Sequence, residues 1–100
     1  MTYETIQEIK EANLHYAKEN DRAYWFDEST MNFFNTEVVT GVLDDRFFIT
    51  SETPSGHDDI KYTVRAALPT GRIETVGPFH GYSSVFDAKL GLKAANKWAL

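Results

Sequence analysis

Ile60-Lys61-Tyr62-Thr63-Val64-Arg65-Ala66 alternates apolar and polar side chains and then runs through Ala67-Leu68 into Pro69-Thr70-Gly71. A repeat of two residues marks a strand whose faces meet different surroundings. Ile60, Tyr62, Val64 and Ala66 make the apolar row, and Lys61, Thr63 and Arg65 the polar one. If one face of the sheet is covered and the other wet, Lys61, Thr63 and Arg65 point to solvent, with Glu74 beside them. Pro69 presets the turn dihedral and Gly71 accepts a positive φ, so the chain reverses into another strand over residues 72–76.

Toward the N-terminus the same period continues. Residues 37–43 and 46–51 read as two strands joined by a turn at Asp44-Asp45, and the polar run from Glu52 to Asp59 reads as a loop. Short connections make the four strands an antiparallel meander. Outside them the period lengthens to that of a helix. From Thr2 as N-cap to about Glu19, residues Ile6, Ile9, Asn13, Tyr16 and Ala17 fall on one stripe, and Glu4, Glu8, Glu11, His15 and Glu19 on the other. Asp27 caps a short helix through Met31-Asn32-Phe33-Phe34, and the aromatic residues between 24 and 34 fill core. Ser84 with Asp87 opens a last helix, in which Val85, Ala88, Leu92, Ala95 and Ala99 share a face while Lys89, Lys93 and Lys97 follow one another on the other side. The expected architecture is α+β over residues 1–100 as a single domain: N-terminal helix, short helix, four-stranded antiparallel meander and C-terminal helix packed on the sheet, with both terminal helices on one sheet face.

The 100 residues are 42% hydrophobic and 14% aromatic, enough for a packed core, and contain no cysteine. That excludes a disulfide scaffold, a thiol nucleophile and thiolate metal sites, and suits a reducing cytoplasm. No apolar run is long enough to span a bilayer, and the polar start Met1-Thr2-Tyr3-Glu4 does not read as a secretory leader. Net charge is −5, and it is uneven: residues 1–50 hold ten acids and four bases, residues 51–100 five acids and six bases. Phosphate affinity comes from cations, so this balance disfavours a general nucleic-acid binder.

Motifs for chemistry are sparse. Gly77 and Gly81 are separated by Pro and aromatics, which makes no phosphate loop, and no strand-to-helix elbow presents a serine. His57 beside Asp58 and Asp59 could seed a metal or acid–base site, but His15, His57 and His80 lack ligand spacing. The sequence therefore reads as no enzyme, with no metal and no cofactor.

Several blocks occur in a familiar order: Trp25-Phe26, Thr30-Met31-x-Phe33-Phe34, Phe48-Ile49-Thr50-Ser51-Glu52, Tyr62-Thr63-Val64-Arg65, and Ile73-Glu74-Thr75-Val76-Gly77 with Phe79 and Tyr82. Together they resemble a small bacterial and phage protein family of unknown function. That resemblance implies a mobile-element setting, in which small acidic proteins occupy host proteins, including CRISPR or restriction machinery. The C-terminal half is also similar to a double-stranded-RNA-binding domain, through its helix–three-strand–helix order, the Gly56-His57 loop between strands and Ala88-Lys89-x-x-x-Lys93-Ala94-Ala95-x-x-x-Ala99-Leu100. Where that domain places two lysines at the start of its last helix, this chain has Val85 and Phe86.

Two functions are expected from these readings. The first is a cytoplasmic, non-enzymatic anti-defence protein that binds and inhibits a host protein with a basic surface, through Glu4, Glu8, Glu11, Asp44 and Asp45, with Phe86 as an apolar anchor. The alternative is a nucleic-acid-binding module using Lys61, Arg65, Arg72, Lys89, Lys93 and Lys97. No membrane partner is expected.

Overall fold

A computed structural model describes residues 3–32, 34–53 and 59–98. The elements follow as α1 (Ile6–Glu19), α2 (Glu28–Asn32), β1 (Glu37–Asp44), β2 (Phe47–Glu52), β3 (Lys61–Ala67), β4 (Ile73–Val76) and α3 (Val85–Trp98). The strands pair antiparallel in the order β1-β2-β3-β4, so the meander and the α+β class are as expected. Register in β1 shifts between Val38 and Leu43, where Gly41 adopts φ +78°.

Caps explain the helix boundaries. Thr5 begins α1: its hydroxyl accepts from the Glu8 N–H at 3.1 Å, and the Glu8 carboxylate accepts from the Glu4 N–H at 3.1 Å. The first bond satisfies one of the amides that a helix start leaves open, and the second ties the residue before the cap to the first turn. The expected cap Thr2 lies outside the described residues. Asp27 caps α2 by accepting from the Ser29 N–H and hydroxyl, and Ser84 caps α3 by accepting from the Asp87 N–H.

The sheet is covered on both faces, which corrects the one-sided arrangement. Phe47, Ile49, Val64 and Ala66 pack under α3 through Ala88 and Leu92. Gly91 lets the helix come close, since a Cβ there would stand 2.2 Å from the Tyr82 hydroxyl. The opposite face buries Phe48 and Ala67 against Tyr3, Ile9 of α1 and Phe26. Thr63 and Arg65 belong to this second face and are buried rather than solvated, at 0% and 6% exposure. Glu74 pairs in register with Ala66, which puts it on the α3 face, exposed at the edge.

One polar residue fastens α1 to the second face. Asn13, expected on the buried stripe, is indeed buried; its amide donates to the Gly71 carbonyl at 2.9 Å and its carbonyl accepts from the Trp25 N–H at 2.8 Å. Gly71 is required at this contact: it has φ +96°, and a Cβ would meet the Ala12 carbonyl oxygen at 2.2 Å. Asn13→Ala would orphan one buried acceptor and one part-buried donor. Urea titration should show a loss of about 2–6 kcal/mol, from about 1–3 kcal/mol per unsatisfied group. Gln7→Ala on the exposed face of α1 should stay within about 0.5 kcal/mol of the parent.

Candidate functional site: a buried arginine beneath an aromatic rim

The second face of the sheet carries a row of polar side chains. Register places Thr50 opposite Thr63, Phe48 opposite Arg65 and Arg65 opposite Thr75, and Glu52 lies one alternation beyond Thr50. Period two therefore aims Thr50, Glu52, Thr63, Arg65 and Thr75 the same way. Their side chains join. The Arg65 Nε donates to the Thr50 hydroxyl at 3.1 Å, Nη1 donates to the Thr75 hydroxyl, and Nη2 donates to Glu52 Oε1 at 3.4 Å. Thr63 donates to the same Glu52 oxygen and accepts from the His80 N–H at 3.0 Å.

His80 reaches this row because the connector after β4 folds back along β3. Tyr62 and Tyr82 exchange backbone hydrogen bonds of 2.9 and 3.2 Å, and His80 itself takes a left-handed φ of +55°. Its Nε2 stands 3.4 Å from Glu52 Oε1. That separation lies in ion-pair range, yet neither His80 Nε2 nor Glu52 Oε2 has a hydrogen-bond partner among the described residues. Burial pushes the His80 imidazole below its ordinary range; Glu52 opposes that shift and the Arg65 charge adds to it. Burial also pulls Arg65 down while Glu52 holds it up, and a guanidinium keeps its proton throughout.

Aromatic rings close over the arginine. Its guanidinium carbon lies 5.3 Å from the Trp25 ring centre and 5.3 Å from that of Phe79. Trp25 is braced edge-on by Phe26 and Phe48, at 4.8 and 6.2 Å. Phe79 stacks on His80 at 3.7 Å and meets Phe34 at 6.0 Å. Between these rings is a cavity of about 420 Å³ with Arg65 in its floor and Ser29, Thr30 and Thr36 at its side.

A family of unknown function, DUF7447, matches residues 5–93. The chain belongs to this family. No curated protein and no solved structure gives a significant match. Within this DUF7447 member, the blocks quoted above for their order converge on the site: Trp25, Thr30, Phe34, Thr50, Glu52, Thr63, Arg65, Thr75 and Phe79 all come from them.

The residues expected to bind a partner lie elsewhere. Glu4, Glu8 and Glu11 are exposed on α1, and Asp44 and Asp45 are exposed in the β1–β2 turn. A bond of 2.9 Å from the Tyr3 N–H to the Asp45 carbonyl brings that turn to the start of α1. Phe86 is 70% exposed but projects from α3, across the sheet from α1, so it does not join them. The six cations do not align either. Lys89, Lys93 and Lys97 are exposed on α3, Lys61 and buried Arg65 lie on the opposite sheet face, and Arg72 stands 3.9 Å from Glu74. His57 and Asp58 lie outside the described residues. Among those described, no three His, Asp or Glu side chains gather to hold a metal ion. No helix of the described residues is long and apolar enough to cross a membrane.

Sequence reading missed Glu52, which is the last residue of β2 and 1% exposed rather than part of a loop. The alternation Phe48, Thr50, Glu52 was the available signal. His80 carries no local signal beyond its place in a connector.

Removing Glu52's charge leaves a buried cation uncompensated. Glu52→Gln should therefore cost about 3–5 kcal/mol of unfolding free energy. Glu52→Gln combined with Arg65→Met should cost less than the two single changes together; additivity in a double-mutant cycle would contradict the coupling. The histidine sets a pH dependence. Because its folded-state pKa is lowered, the unfolded chain takes up the proton first as pH falls through the ordinary value of about 6.5. The stability of neutral His80 is complete above that value and is lost as pH falls from it toward the lowered folded pKa. Unfolding free energy measured between pH 7.5 and 5 should decline, and His80→Gln should flatten the decline.

Proposed function

We propose that this protein acts by binding another protein rather than by catalysis, and that the partner presents a basic surface to the start of α1. The observation that carries this reading is the Tyr3–Asp45 backbone bond. It brings the β1–β2 turn to the start of α1, where Glu4, Glu8 and Glu11 are exposed; Asp44 and Asp45, exposed in that turn, line a groove with Lys93 and Lys97 of α3. Among the described residues, no ion pair closes on Glu4, Glu8 or Glu11. Lys10 is turned toward the Phe26 ring, 5.7 Å from its centre, instead of toward these acids. The like charges of Glu4, Glu8 and Glu11 accelerate encounter with an oppositely charged surface and select the orientation of docking.

The buried polar row supports the non-catalytic part of the proposal. The Glu52 side chain has no solvent exposure, and His80 Nε2 faces Glu52 inside the protein. A general acid or base must reach the atom it protonates, and these two groups are turned toward the interior. The partner is a host protein whose basic surface serves its own function, so occupying that surface inhibits it; a defence nuclease, with a groove built for phosphate, has the required charge.

The test replaces Glu4, Glu8 and Glu11 together by glutamine. This removes the charge, while the side-chain amide oxygen introduced at position 8 can still accept the capping bond. Immobilised parent protein should retain basic host proteins at low ionic strength and release them as salt rises. The triple variant, with unchanged far-UV circular dichroism, should retain them at least about tenfold less well. Equal retention by the variant would exclude this surface.

A further inference from the structure

We propose that the cavity above Arg65 is a binding site for a small, flat, uncharged aromatic or heteroaromatic molecule bearing a carbonyl or ring-nitrogen acceptor. The site is independent of the acidic surface of α1. Its volume, about 420 Å³, lies in the range of small-molecule sites, and its lining comes from the α1–α2 connector, α2, the α2–β1 connector, β3 and the β4–α3 connector.

The walls select a flat group. Trp25 and Phe79 present aromatic surface to the cavity, and both are held before any ligand arrives. Trp25 is fixed by its backbone bond to Asn13 and by edge contacts to Phe26 and Phe48. Phe79 is fixed by its stack on His80, and the connector carrying Phe34 by a 2.7 Å bond from the Thr53 N–H to the Phe34 carbonyl. Such bracing keeps the ordering cost of binding low.

The floor selects an acceptor. A guanidinium has five N–H groups. Three donate within the protein, to Thr50, Thr75 and Glu52, which leaves one on each terminal nitrogen among the described residues. Since Arg65 already lies against both rings, a cationic ligand would meet a like charge at the place where the ring faces attract one. An anion fares little better, because the fully buried Glu52 carboxylate lies 3.4 Å from Nη2 and is not screened by water. The Arg65–Glu52 pair thus offers the cavity the positive end of a dipole rather than a free charge. A neutral oxygen or nitrogen acceptor on a ring matches that floor. Thr30 and Thr36 at the side can exchange hydrogen bonds with further polar substituents.

The experiment titrates the full chain, labelled with nitrogen-15, with benzamide, benzoate, benzylammonium and toluene, and follows the Trp25 indole and Arg65 Nε–H resonances. Benzamide should shift both saturably with a dissociation constant on the order of 1 mM, as expected for so few atoms. Toluene and benzylammonium should bind at least about tenfold more weakly, a difference of about 1.4 kcal/mol. In Phe79→Leu, which keeps apolar volume on a half-exposed rim but removes the ring face, benzamide affinity should fall about tenfold. The proposal is overturned if benzamide gives no saturable shift, if toluene binds as well, or if benzoate binds tenfold better than benzamide. Phe79→Leu binding benzamide like the parent, with circular dichroism unchanged, would also overturn it.

Discussion

A guanidinium inside a chain of 100 residues imposes its own surroundings. Arg65 is 6% exposed, and its charge is balanced by Glu52, 0% exposed at the side chain and 3.4 Å away. Taking both ions out of water costs several kcal/mol each, so the pair persists only where geometry and extra hydrogen bonds offset that cost. Thr50, Thr63 and Thr75 supply those bonds. Because they stand on β2, β3 and β4, the pair ties three strands together by side chains as well as by backbone. It also dictates the rim. A delocalised cation, weakly hydrated, is stabilised by ring faces, and Trp25 and Phe79 occupy those positions.

The two faces of the sheet are consequently unlike. Under α3, Phe47, Ile49, Val64, Ala66, Ala88 and Leu92 form an apolar cluster. On the other side a similar apolar cluster, centred on Phe48 and Ile9, reaches Met31 of α2, Val38 and Leu43 of β1 and Ile73 of β4. The row of Thr50, Glu52, Thr63, Arg65 and Thr75 shares that face, and the aromatic cavity lies above Arg65. Trp25 serves both, packing on Phe26 and Phe48 while its ring lies by Arg65, and the opening lies between Trp25, Phe34 and Phe79. The same face is joined to α1 by Asn13, whose two hydrogen bonds reach the β3–β4 turn and Trp25. The acid-rich helix and the cavity therefore share a support while presenting separate surfaces, and membership of DUF7447, matched over residues 5–93, takes in both.

Alternation over residues 60–66, the Pro69–Gly71 turn and the caps at Asp27 and Ser84 were enough to read the order of elements and the meander from the chain. These are local signals: dihedral preference, side-chain period and amide capping each act within a few residues. The exposed acids of α1 were legible for the same reason, as the stripe of Ile6, Ile9, Asn13, Tyr16 and Ala17 leaves them the outer side. Glu52, Thr63 and Arg65 were not, since a polar residue in alternation reads as solvated unless its partners are known. Those partners are long-range. Glu52 meets Arg65 and Thr63 across a hairpin, Thr75 comes from the next strand, and His80 arrives through a connector held to Tyr62.

Sequence alone determined the secondary elements, their order and the acidic character of the first helix, because short-range sterics and helical or strand period settle these. Tertiary structure decided which polar residues go inside, that the terminal helices take opposite faces of the sheet, and that a cavity forms over Arg65. Burying a charge is favourable only when an opposite charge and acceptors converge on it from separate strands, and that convergence exists only in the folded chain.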